Sequence, residues 1–160
     1  MIILAIDTSC DETSAAITKD TKILSSVIWS QASLHAKWGG VYPSLAQREH
    51  EKRIDWVISR AVSKSQFQMT NLDAIAVTVG PGLAIALGVG INKAKELATR
   101  YNKPIVVVNH VEAHLLSALA ESRISPTSSR HTPGLRGAGD IQIQNNQFQV
   151  LNDEYIVLIL

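Results

Sequence analysis

Three apolar runs constrain this chain more than any other feature: Ile2–Ile6, the stretch DAIAVTV from Asp73 to Val79, and Ile105–Val108. The first two are short and almost continuously aliphatic, as expected of strands buried on both faces of a sheet covered by helices rather than of half-exposed alternating strands, and the third, opened by Pro104, reads as a further strand. Each also ends abruptly in polar or turn-forming residues: Asp7-Thr8-Ser9, Gly80-Pro81-Gly82 and Asn109-His110. The loops after such strands are where an α/β protein places chemistry. Between the runs lie Ser14–Thr18 and Ile23–Trp29, two further strand candidates joined by the hairpin turn Lys19-Asp20-Thr21-Lys22.

Helical periodicity fills the remaining gaps. Pro43 opens a helix reaching about Ser63, with Leu45, Ile54, Val57, Ile58, Ala61 and Val62 on one stripe. Leu83–Tyr101 reads as a largely apolar helix whose wetter end carries Lys93, Lys95 and Glu96. A last helix is predicted from His110 to about Ser122. The resulting order is three strands, helix, strand, helix, strand, helix. This is an α/β domain, and its three-strand opening resembles the actin, Hsp70 and sugar-kinase (ribonuclease H-like) fold rather than a Rossmann start.

From Arg123 the composition turns to Ser, Thr, Pro, Gly, Gln and Asn, which predicts a polar linker or insertion over 123–152. The apolar EYIVLIL at the end reads as a strand within 153–160, the first of a second domain that the chain does not continue. The domain expected ahead of both covers 1–122. The 160 residues suffice for one domain with a real core. A net charge of +1 argues against a wholly basic surface, so any nucleic acid must be met by a local patch or by another subunit. Cys10 is the only cysteine, which excludes an intramolecular disulfide and fits a reducing compartment. The opening MIILAIDTSC lacks a basic leader, and no stretch has the length of a membrane span. The expectation is a cytoplasmic protein with no membrane partner.

Three segments can carry chemistry. In Asp7–Ser14, short hydroxyls and loop amides can hold anionic oxygens while Asp11 and Glu12 act as base or cation ligand, yet residue types alone favour an acidic hairpin turn. Gly80-Pro81-Gly82 permits close backbone approach at a helix start, and a tight turn accounts for it equally well. In His110-Val111-Glu112-Ala113-His114 the histidines are four apart and share a helix face, so both can reach one metal ion; two polar residues facing a cleft would look the same. A zincin protease is excluded, because its glutamate directly follows the first histidine, whereas Glu112 is turned by about 160° from the histidine axis. His35 and His50 read as surface or capping residues, and Trp29, Trp38 and Trp56 as core or interface packing rather than a base-stacking platform.

Four stretches, IDTSCDETS at the start, SLHAKWGGVYPSLAQREH at 33–50, AVTVGPGL at 76–83 and NHVEAH at 109–114, resemble in order and spacing the TsaD, Kae and Qri family, formerly called O-sialoglycoprotein endopeptidases. The resemblance implies two actin-like domains around a nucleotide cleft. It implies transfer of a threonylcarbamoyl group from threonylcarbamoyl-adenylate to N6 of the adenosine beside the anticodon in tRNA, with the adenylate or ATP as cleft ligand. A divalent ion, iron before zinc, would be held partly by His110 and His114. Ser9, Asp11 and Glu12 would lie near the transferred group, with Glu12 assisting deprotonation of the adenosine amine, and Gly80, Pro81 and Gly82 would face the nucleotide. The family works with a TsaB-like paralogue and an ATPase. The SGGHT-type loop and late aspartate ligand of the family are missing from this sequence, so the chain is expected to be inactive alone. The alternatives are a non-catalytic TsaB-like scaffold, or a small-molecule kinase or ATPase of the same fold.

Overall fold

The computed structural model describes residues 1–117 and the backbone of 121–122. The expected linker over 123–152 and the strand within 153–160 lie outside the described residues. A six-stranded sheet runs in the order β5-β4-β1-β2-β3-β6, made of β1 (Ile2–Asp7), β2 (Glu12–Lys19), β3 (Lys22–Ser30), β4 (Ala74–Gly80), β5 (Ile105–Asn109) and the two-residue β6 (Glu121–Ser122). β1, β2 and β3 form an antiparallel meander, whereas β4 pairs parallel to β1 and β5 parallel to β4. The turn between β2 and β3 is closed by Asp20 at φ 53°, a left-handed conformation that aspartate tolerates.

The helices are α1 (Ala32–His35), α2 (Pro43–Ser65), α3 (Ala84–Tyr101) and α4 (His110–Leu116), with a 3-10 turn over Ala36–Trp38 and another over Met69–Asn71. The predicted stripe of α2 is observed: Ile54, Val57, Ile58 and Ala61 are buried against Leu4, Ile6, Ile17, Ile75 and Val77 of the sheet. Ala94, Leu97 and Ala98 of α3 complete the same cluster. A second, smaller cluster of Ile3, Ala5, Ala74 and Ala76, with Val106 and Val108 packed on it, occupies the opposite pleat. β1 and β4 are thus covered on both faces, as their unbroken apolar sequences require.

Two expectations need correction and a third is narrowed. The last helix was expected to reach Ser122, but it ends at Leu116, and Glu121–Ser122 pairs instead with Lys22–Ile23 of β3. His35 and His50 are buried, not surface or capping residues, because each ring nitrogen of both has a hydrogen-bond partner inside the protein. Of the core-or-interface reading for the tryptophans, only Trp29 packs partly buried against the core, whereas Trp38 and Trp56 are exposed, which leaves the interface alternative for them.

Candidate functional site

β1, β4 and β5 run parallel, with an irregularity in the β4–β5 register between Thr78 and Gly80, so their carboxyl ends open on one edge of the sheet, where the loop after β1, the glycine turn after β4 and the start of α4 meet. The ends of strands beside a helix start are where open α/β sheets receive ligands.

The glycine turn approaches the first loop closely. Leu83 N–H donates to the Ser9 carbonyl at 2.8 Å, and a Cβ added at Gly82 would lie 2.5 Å from that same oxygen. Gly82 is therefore required by backbone contact, and the Gly80–Pro81 peptide is cis. Nearly two turns into α3, Gly90 plays a similar part toward Thr8. The buried Thr8 hydroxyl donates to the Ala86 carbonyl at 2.8 Å and accepts from Gly90 N–H at 3.1 Å. Sequence inspection had no means of finding this pair, whose members are 82 residues apart.

His110 sits at the first turn of α4, whose start is capped by Asn109: its side-chain oxygen accepts from the amides of Val111 and Glu112. The His110 and His114 rings meet edge to face with centroids 4.4 Å apart, and their Nε2 atoms are separated by 3.1 Å. On its other side His110 Nδ1 lies 3.2 Å from Asp7 Oδ2 and 3.3 Å from Ser9 Oγ. Asp7 also accepts the Ser9 amide through Oδ1 at 2.7 Å. Asp7 was missed as a site residue; its sequence signal was the carboxylate that ends an otherwise unbroken apolar run.

Asp7 and Ser9 are buried, His110 is half-buried and His114 is exposed, so the pair stands at a mouth rather than in a core. Among the described residues no group of three or more histidine, cysteine, aspartate or glutamate side chains is arranged to hold a metal. The two facing nitrogens nevertheless fit part of a metal site. At metal–nitrogen distances of about 2.0–2.1 Å, two atoms 3.1 Å apart can share one ion.

The structure brings Ser9, His110 and His114 together beside Asp7 and lays Gly82 against Ser9, while Asp11 and Glu12 follow further along the same loop. Glu12 is exposed at the first position of β2, where its carboxylate accepts from the Ser30 hydroxyl at 3.2 Å. Asp11 is half-buried, its carbonyl accepting the Gln31 amide. This part of the loop is held from beneath by His50 of α2, whose Nε2–H donates to the Cys10 carbonyl at 3.1 Å and whose Nδ1 accepts from Thr13 Oγ1 at 2.8 Å. Burial pushes the His50 pKa below its ordinary value, and the Cys10 carbonyl opposes that shift. The Cys10 thiol is pushed up, first by burial and then by the neighbouring Asp11. A second strut runs from Gln31 Nε2 to the Ala46 carbonyl and from His35 Nε2 to Gln31 Oε1, while His35 Nδ1 accepts the Tyr42 amide. Polar side chains buried this deeply persist only because their hydrogen bonds are made, so the stretch from Gln31 to His50 is a frame for the loop.

Residues 22–156 match the TsaD family, described as tRNA N6-adenosine threonylcarbamoyltransferase. The chain belongs to the TsaD family. A protein of that description from Fervidobacterium nodosum is 47% identical over 117 residues, which cover 73% of this chain and 35% of that protein. One from Geotalea uraniireducens is 48% identical over 125 residues, covering 78% and 36% respectively. The chain thus spans about a third of the length of these TsaD relatives. Among solved structures, YeaZ from Pseudomonas aeruginosa superposes with a TM-score of 0.58 at 21% identity, over 73% of this chain and 47% of that one. That likeness shows the fold, which is the actin, Hsp70 and sugar-kinase fold expected from the three-strand opening. Among the described residues, no helix of this TsaD-family chain is long and apolar enough to cross a membrane.

Proposed function

We propose that this chain forms one wall of a cleft in which a threonylcarbamoyl group passes from threonylcarbamoyl-adenylate to N6 of the adenosine beside the anticodon of tRNA. The observation that carries the reading is the facing Nε2 pair of His110 and His114, 3.1 Å apart and braced from behind by Asp7 and Ser9. Membership of the TsaD family supports the reaction class.

His110 and His114 would hold a divalent ion, iron or zinc, through Nε2. When bound, such an ion polarises a carbonyl and orients it for attack. The protein's own groups do the rest. Gly82, having no side chain, lets the turn after β4 lie directly on Ser9, so the exposed Pro81 and Gly82 form a smooth rim for the adenylate. Ser9 presents its hydroxyl beside His110. Asp11 and Glu12 line the outer part of the loop, and Glu12, at its exposed end, is the group able to take a proton from the adenosine amine as the new N–C bond forms and the carbamoyl carbon's bond to the phosphate oxygen breaks, releasing AMP. The His50 brace keeps that carboxylate at a fixed place relative to Ser9, because it ties both Cys10 and Thr13 to α2. A TsaB-like paralogue and an ATPase would complete the assembly in the cytoplasm.

The test measures metal and product together. After exposure to Fe2+ or Zn2+, the wild-type chain should retain about one ion by elemental analysis, and the His110→Ala, His114→Ala double variant none. The same preparations, mixed with a second polypeptide supplying the remaining two thirds of a TsaD relative, the paralogue, the ATPase, the adenylate and unmodified tRNA, report the modified nucleoside by mass spectrometry. Equal metal retention by both chains, or modification that survives loss of both histidines, would refute the proposal.

A further inference from the structure

The contact between β1 and α4 assigns a role to Asp7 that its neighbours make specific. Asp7 is buried, and its two carboxylate oxygens have separate tasks: Oδ1 accepts the Ser9 amide at 2.7 Å and Oδ2 faces His110 Nδ1 at 3.2 Å. An ionised carboxylate has no hydrogen to give, so the facing ring nitrogen must be the donor. The other group near Nδ1, the Ser9 hydroxyl at 3.3 Å, can donate or accept and follows whichever tautomer Asp7 sets. We infer that Asp7 is a positioning residue that keeps the neutral His110 ring protonated on Nδ1, leaving the Nε2 lone pair aimed at His114 Nε2. This inference rests on the metal reading given above, and it extends that reading from the ligands to the residue that prepares one of them. A carboxylate behind a metal-ligating imidazole fixes its tautomer and orientation and raises its basicity, and removing such a partner costs roughly 10–100-fold in metal affinity.

The decisive variant is Asp7→Asn, because the geometry dictates what the amide does. Its one oxygen is needed by the buried Ser9 amide at the Oδ1 position. The NH2 group must then face His110, and a donor there forces the ring proton onto Nε2, the nitrogen the metal requires free. The substitution preserves shape and reverses the tautomer.

Two measurements on the 160-residue chain test this. Long-range 15N–1H spectra of the metal-free chain should show His110 protonated on Nδ1 in the wild type and on Nε2 in Asp7→Asn. Zinc titration against a chromophoric chelator should show affinity falling by roughly 10–100-fold in Asp7→Asn, with the His110→Ala, His114→Ala variant setting the floor. A wild-type His110 protonated on Nε2, or an Asp7→Asn chain that binds zinc as tightly as wild type, overturns the inference. If Asp7→Asn fails to fold, the wild-type spectrum alone decides it. If the double-histidine variant binds zinc like the wild type, the metal reading fails, and the tautomer spectrum still decides the role of Asp7.

Discussion

Gly90→Ala is a substitution for which local and tertiary physics give opposite signs. In the interior of an isolated helix, alanine is favoured over glycine by about 1 kcal/mol. In α3, however, a Cβ at position 90 would lie 2.6 Å from Thr8 Oγ1. That hydroxyl is buried and makes two hydrogen bonds, at 2.8 Å to the Ala86 carbonyl and at 3.1 Å from Gly90 N–H. Displacing it breaks both, at about 0.5–1.5 kcal/mol each. Pushing β1 and α3 apart adds an overpacking cost of about 1–3 kcal/mol. Subtracting the helix gain leaves a net destabilisation of roughly 1–5 kcal/mol. Urea unfolding followed by circular dichroism measures it directly. The double-mutant cycle sharpens the test: with Thr8→Ala, the nearest remaining side-chain atom is the old Cβ position at 3.6 Å, an ordinary contact. In that background Gly90→Ala should stabilise by about 1 kcal/mol. Gly88→Ala, whose added Cβ meets nothing within 4 Å, should gain a similar amount in the wild-type chain. Stabilisation by Gly90→Ala alone would refute the argument.

Two further outcomes follow from the site's supports. Because burial lowers the folded-state pKa of His50, the unfolded chain binds that proton more readily, so stability should fall as pH drops below about 6.5 and on toward the folded pKa. Thermal melts across that window should show stability falling as pH drops, by at most about 1.4 kcal/mol per pH unit, and His50→Gln should remove this contribution. Asn109→Ala removes the cap from a helix of seven residues. At a cost of about 1 kcal/mol, amide hydrogen exchange in α4 should quicken roughly fivefold while that of β1 stays unchanged.

The parts of this fold that follow from hydrophobic periodicity were legible in the sequence. The continuous aliphatic runs of β1 and β4, and the stripe of α2, have no other place to go in an α/β domain; β5 was legible as a strand but lies half-exposed at the sheet edge, and the glycine turn and histidine pair stand at the ends of β4 and β5. What could not be read were partnerships made across the sheet. His35 and His50 look like surface residues because nothing in their local sequence announces Gln31, Thr13 or the Cys10 carbonyl as partners. Asp7 and His110 are separated by 103 residues and meet only because β1, β4 and β5 align. The end of α4 was misplaced for a related reason. Helical residues continue past Leu116 in the sequence, but Glu121–Ser122 is recruited by the exposed edge of β3.

The histidine pair is mounted on the least buried of the long strands. β5 borders only β4, and its residues alternate between exposed and half-buried, with Val107 69% exposed. Local opening of a strand costs least where few apolar contacts must be broken. β5 and α4 can therefore detach as one unit while β1 to β4 stay folded, and that excursion separates His110 from Asp7. The order of the histidine pair is then set by a free energy smaller than that of the fold, and anything that covers β5 raises it.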